Sequence, residues 1–166
     1  MAFWGDDVDK LETVKVGDIL RITNARPKLS DFSGEVELTF SRKTGRIRTV
    51  SHKGKLLCTL RIDGGLAISP YFAQILLKSK TFRDNCVEIN KDAAPFVKEG
   101  RSVFCKHVLW CGKNVHISAD TPVLFKNKVI AVGKAVLSYE MITDFNRGVA
   151  IRVRDSLKSP KEEIKS

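Results

Sequence analysis

The chain has 166 residues, 43% hydrophobic and 29% charged, a globular composition with room for one domain or two small ones. No apolar run approaches the roughly 18 residues that span a bilayer, and Met1 to Asp7 lack the basic and apolar segments of a signal peptide, so a soluble, cytoplasmic protein without a membrane partner is expected. The net charge of +10, from 29 Lys and Arg against 19 Asp and Glu, favours polyanionic partners.

Residues 1 to 12 read as an acidic lead-in. The densest basic segment follows, with Arg26, Lys28, Arg42, Lys43, Arg46, Arg48, Lys53 and Lys55 set against Asp31, Glu35 and Glu37. Val36, Leu38 and Phe40 alternate with Glu35, Glu37 and Thr39, the period-two pattern of a strand with one buried face. A turn at Arg42 to Gly45 leads to a return strand at 46–50, in which alternation puts Arg46 and Arg48 on one face. A second turn at Ser51 to Lys55 and a strand over 56–61 complete a three-stranded antiparallel meander with one basic face. After Asp63-Gly64-Gly65 comes a helix with Ser69 as N-cap and Pro70 at its first position, where the missing N–H costs nothing. Phe72, Ile75 and Leu76 fall on one side and cover the sheet. The polar stretch 80–85 marks a domain junction.

The second part opens with a strand at 87–89, a short helix over 93–98 capped by Asp92 and ended by Gly100, and a strand at 102–108. Strands follow at 123–125 and 129–136, joined by a turn at Lys126-Asn127-Lys128, and at 149–153. A helix capped by Ser138 and stopped near Gly148 lies between the last two. Many short strands with two short helices suit a small barrel. Residues 156–166, with Pro160, read as a flexible tail.

Four cysteines, Cys58, Cys86, Cys105 and Cys111, show no CxxC spacing and sit among apolar residues, as buried free thiols do. The set Cys105, His107, Cys111 and His116 has zinc-ligand residue types, with Cys105 and His107 on one face of the expected strand. Core thiols and a satisfied histidine account for it more simply, and no metal is expected. The sequence holds no nucleophile elbow, Walker motif or dinucleotide fingerprint, and Ser69 and Ser138 are explained as caps. No catalytic residue and no cofactor are therefore assigned.

Asp92 to Val97, Gly100 to Val108, Ala131 to Leu137 and Arg147 to Arg154 together resemble a PUA domain, and in particular the C-terminal region of archaeal tRNA-guanine transglycosylase. Upstream, Ser41 to Arg48 and Thr59 to Leu66 resemble the small domain that precedes the PUA domain in those enzymes. Ala94, where the family often has an acidic residue, and the middle segment Trp110 to Thr121, without the family's Pro-Gly-Asp turn, depart from the pattern.

The resemblance implies an α+β chain: a pre-PUA domain at 9–85, built as a meander plus helix, then a PUA pseudo-β-barrel at 86–155. It implies binding of structured RNA, tRNA favoured, in the groove between the first PUA helix with its glycine loop and the last strand. Carried over by position, that implicates Lys98, Gly100, Arg101 and Lys106 on one side and Arg147, Arg152 and Arg154 on the other. Arg46 and Arg48, on the basic face that strand alternation gives the meander, are expected as further RNA contacts. Gly100 lets backbone approach a phosphate or ribose without a Cβ clash, and Arg side chains neutralise, stack or bind in bidentate fashion. Phe96, Phe104, Trp110 and Phe125 lie in apolar patterns and read as core. The large barrel that carries the transglycosylase's nucleophile and zinc ligands does not fit in this length, so a non-enzyme is expected. It would act beside a separate RNA-modifying catalytic subunit. Alternatives are a translation or ribosome-biogenesis factor that binds ribosomal RNA or particles, and a protein-interaction scaffold.

Overall fold

A computed structural model of the protein describes residues 13–14, 36–61 and 66–157. The acidic lead-in, Trp4, the basic residues Arg26 and Lys28, the Asp63-Gly64-Gly65 turn and residues 158–166 lie outside the described residues. The chain divides into two compact units, 1–79 and 80–166.

The first unit is an antiparallel sheet in the order β1 (Thr13–Val14), β2 (Val36–Phe40), β3 (Ile47–His52), β4 (Lys55–Leu60) and β5 (Leu66–Ile68), with helix α1 (Pro70–Leu76) packed on β4. The expected meander is its centre, and β1 and β5 extend it by a strand on each side. Local chemistry sets the turns. Gly45 has φ 68° and its N–H donates to the Ser41 carbonyl at 2.8 Å. Lys53 and Gly54, at φ 50° and 76°, both take the positive φ of a two-residue type I′ hairpin. Ser69 caps α1 as expected, accepting from Phe72 N–H at 3.1 Å and donating its own hydroxyl to the Leu56 carbonyl at 2.6 Å. Phe72, Ala73 and Leu76 of the helix are buried, as are Ile47, Val50, Leu57 and Cys58 of the sheet.

The second unit is a six-stranded, nearly closed sheet in the order β7 (Val103–Phe104), β11 (Val149–Ser156), β10 (Lys128–Ala135), β9 (Asp120–Phe125), β6 (Val87–Ile89) and β8 (Val108–Cys111). Among the described strands only β6 and β9 run parallel. Helix α2 (Ala94–Lys98) packs on β10 and β11, and α3 (Tyr139–Asp144) packs on β8. The β9–β10 hairpin turns on Lys126 and Asn127, at φ 50° and 62°.

Three expectations need correction here. The expected strand over 102–108 is broken: β7 ends at Phe104 and a 3₁₀ turn, Cys105–His107, leads into β8. β7 and β8 stand at opposite ends of the strand order, so the chain must cross from one edge to the other and cannot stay extended. Asp92 does not cap α2; the Asn90 side-chain oxygen accepts from Ala93 N–H at 3.1 Å instead. β11 runs on to Ser156, whose buried hydroxyl donates to the Lys98 carbonyl at 2.8 Å, so a polar side chain sits in the sheet without an unsatisfied donor.

Candidate nucleic-acid interface

Helix α2 ends in a Schellman motif: Arg101 N–H donates to the Phe96 carbonyl and Gly100 N–H to the Val97 carbonyl, each at 3.0 Å. Gly100 occupies the left-handed position at φ 94°, with nothing within 4 Å of where a Cβ would stand. In this motif the residue after the glycine usually makes an apolar contact back onto the helix. Here the Arg101 guanidinium lies over the Phe96 ring, 5.5 Å from its centroid, so the same geometry yields a cation–π pair at the surface.

Pairing of β7 with β11, Ile151 opposite Val103 and Val149 opposite Phe104, fixes what lies beside that turn. β7 begins two residues after Arg101, and Ile151, opposite Val103, immediately precedes Arg152 on β11. At the other end of β7, Cys105 N–H donates to the Gly148 carbonyl at 3.0 Å, which brings Lys106 and Arg147 to one place. The structure thus gathers the residues of the second unit into two groups. Lys98, Gly100, Arg101 and Arg152 stand at one end of β7, and Lys106 with Arg147 at the other.

Arg152 is exposed and lies opposite Lys134 of β10 in the register, a like-charge pair with no stabilising role of its own. Arg154 differs. The β10–β11 register shifts between Val132 and Gly133, so Val153 and Asp155 pair across while Arg154 is the extra residue. Its guanidinium forms an ion pair with Asp120 of β9 at 3.0 Å, so Arg154 is already engaged. The bulge brings strands close: a Cβ on Gly133 would stand 2.3 Å from the Arg152 carbonyl oxygen.

Arg46 and Arg48 belong to the first unit. Both are exposed, but simple alternation does not describe them. Thr39 pairs with Thr49 and Phe40 with Ile47, which makes Arg48 the extra residue of a bulge. Ile47, Val50 and His52 all turn to the core.

The aromatic expectation is overturned at three of four positions. Phe96 is 51% exposed, Phe104 45% and Trp110 36%, while Phe125 packs partly buried against the core. Local phase carried this signal: Ala94 and Val97 are the buried positions of α2 and leave Phe96 on the other side, and Val103 pointing inward obliges Phe104 to point out. Two exposed rings therefore accompany the basic groups. Trp110 lies elsewhere, under the Arg83 guanidinium at 5.1 Å, with Arg83 bonded to Glu88 at 3.0 Å and to Asn127.

The four cysteines are buried, unpaired thiols. Burial pushes the thiols of Cys58 and Cys86 up to about 12 and that of Cys111 to about 11, and raises that of Cys105, so none is an activated thiolate. Among the described residues no three His, Cys, Asp or Glu side chains converge as a metal site, and His107 Nδ1 lies 3.3 Å from the Asn90 amide nitrogen. The 3₁₀ turn removes the shared strand face proposed for Cys105 and His107. No helix among the described residues is long and apolar enough to cross a membrane.

Comparison with known proteins places this geometry. Residues 85–157 match the PUA domain, and residues 29–82 match the patch-forming domain C2 of tRNA-guanine transglycosylase. The chain is 34% identical over 129 residues to the tRNA-guanine(15) transglycosylase of Methanobrevibacter smithii, covering 76% of this chain and 20% of that enzyme. It thus spans about a fifth of the length of the curated relatives it matches. Among solved structures, a hypothetical protein from Pyrococcus horikoshii superposes with a TM-score of 0.62 at 18% identity, covering 80% of each chain. A conserved PUA domain protein from Thermoplasma acidophilum gives 0.61 at 15% identity, covering 92% of this chain and 97% of that one. At such identities the structural likeness speaks for the fold alone.

Proposed function

We propose that this chain, which belongs to the PUA-domain proteins and matches the C-terminal region of archaeal tRNA-guanine transglycosylases, binds structured RNA, tRNA foremost, without catalysing a reaction itself. The observation that carries this reading is the Schellman turn of α2, which sets Gly100, Arg101 and the exposed Phe96 ring beside Lys98 and alongside Arg152. Cations there neutralise phosphates, the open glycine admits a sugar or phosphate, and the ring offers a face to an unpaired base. Lys106 and Arg147, with the exposed Phe104 between the two groups, lengthen the same track. Arg154 serves less directly because Asp120 already holds it. Arg46 and Arg48 supply a further basic surface on the first unit.

Structured RNA is favoured over duplex DNA because none of the helices among the described residues has the length of a major-groove reader: α1, α2 and α3 have 7, 5 and 6 residues. The raised thiol pKa values argue against a cysteine nucleophile. The RNA would be held for an RNA-modifying catalytic subunit. The test is retention of total tRNA against ribosomal RNA and duplex DNA, with wild type and an Arg101→Ala, Arg152→Ala double variant. Preferential tRNA retention, lost in the variant, is expected. Preferential ribosomal RNA retention would move the role to ribosomal particles, and equal retention of every polyanion would refute a specific site.

A further inference from the structure

In the second unit, β8 is the last strand in the sheet order and has a strand neighbour on one side only among the described residues. Its pairing with β6 shifts between Glu88 opposite Trp110 and Ile89 opposite Val108, so Leu109 is the extra residue of a bulge. Leu109 is 69% exposed, and Phe145, just past the end of α3, is 51% exposed. Between β8 and α3 these residues line an open groove of about 330 Å³, together with Trp110, Lys106 and Asp144. Large apolar side chains beside an edge strand are a liability that folds ordinarily cover or charge.

The helix side of this groove is acidic in a basic chain. α3, Tyr-Glu-Met-Ile-Thr-Asp, carries Glu140 and Asp144 one turn apart and no base, in a chain of net charge +10. Glu140 stands close enough to the buried Cys111 thiol, which also lines the groove, to oppose its ionisation. Lys106 is the one base among the lining residues. Two carboxylates repel a phosphate backbone but attract lysine and arginine, and an edge strand with flanking apolar side chains suits an extended peptide.

We infer that the groove between β8 and α3 docks an extended segment of a partner protein, apolar in its centre and flanked by lysine or arginine, added as a strand to the outer edge of β8. Leu109 and Phe145 are its apolar anchors, and Glu140 and Asp144 choose the flanking charges. This surface is separate from the residues assigned to RNA except at Lys106.

A random dodecapeptide display library panned against the full chain, with counter-selection on Leu109→Asp, tests it. Enriched peptides should combine apolar centres with Lys or Arg and should bind Leu109→Asp or Phe145→Asp at least about tenfold more weakly. They should weaken again on Glu140→Gln, Asp144→Asn, and their bound amide shifts should centre on Val108 to Cys111. Both anchors are solvent-exposed, and thermal melts of the variants confirm that the fold is kept. Absence of enrichment, enrichment of acidic peptides, or equal binding to the variants overturns the proposal. So does an oligoribonucleotide that shifts the same β8 amides, or a dimer of the chain that Leu109→Asp dissociates.

Discussion

Replacing Gly133 with alanine tests the close approach that positions Arg152. The added Cβ would stand 2.3 Å from the Arg152 carbonyl oxygen and 2.8 Å from both its carbonyl carbon and Val153 Cα. Ordinary contact begins near 3.4 Å, so β11 must retreat from β10 by about 1 Å. All three atoms are backbone, so no side chain can swing away, and the cost lies at the upper end of overpacking, about 3 kcal/mol. For a unit of this size that lowers the melting temperature by roughly 15 °C. Urea unfolding followed by circular dichroism measures it, and amide hydrogen exchange should place the loosening in β10 and β11. Gly148→Ala is the control in the same unit: φ is 91° but nothing lies within 4 Å, so only backbone strain of about 1 kcal/mol is expected. A Gly133→Ala protein no less stable than Gly148→Ala would refute the reasoning.

Ser69→Ala removes the α1 cap and its bond to the Leu56 carbonyl, and a loss of 1 to 2 kcal/mol, about the larger cap effects, is expected by urea unfolding. Asp120→Asn releases Arg154 from an ion pair that is partly exposed, so stability should change by less than about 1 kcal/mol, while tRNA affinity in filter binding should rise. Cys58 has a folded pKa raised from 9.0 to about 12 by burial. The unfolded thiol ionises first, so stability present below pH 9 should fall as pH rises toward 12, and Cys58→Val should flatten that decline in the urea midpoint.

What the chain discloses about itself divides along local and non-local lines. Ser69-Pro70, Gly45, Lys53-Gly54 and Ser138 were legible because caps and tight turns depend on a few adjacent residues, and each stands where its chemistry puts it. The break after Phe104 was not, because it follows from β7 and β8 lying at opposite ends of one sheet. Nor were the bulges at Arg48 and Arg154, which appear only once a partner strand sets the register. The basic residues of the site could be named from the resemblance. Their division into two groups, and the Asp120 pairing that occupies Arg154, required the β7–β11 and β9–β10 geometry. Phe96 and Phe104 were misjudged because apolar neighbours suggested core, although the inward phase of Val97 and Val103 already pointed them outward.

The salt dependence of tRNA affinity tests the RNA-binding surface most directly. Each phosphate contact removed should lower the slope of log K against log salt by about 1, so Arg101→Ala, Arg152→Ala should bind tRNA more weakly and with a slope smaller by about 2 than wild type. An unchanged affinity and slope in the double variant would contradict the assignment of the α2 turn and β11 as the tRNA-binding face.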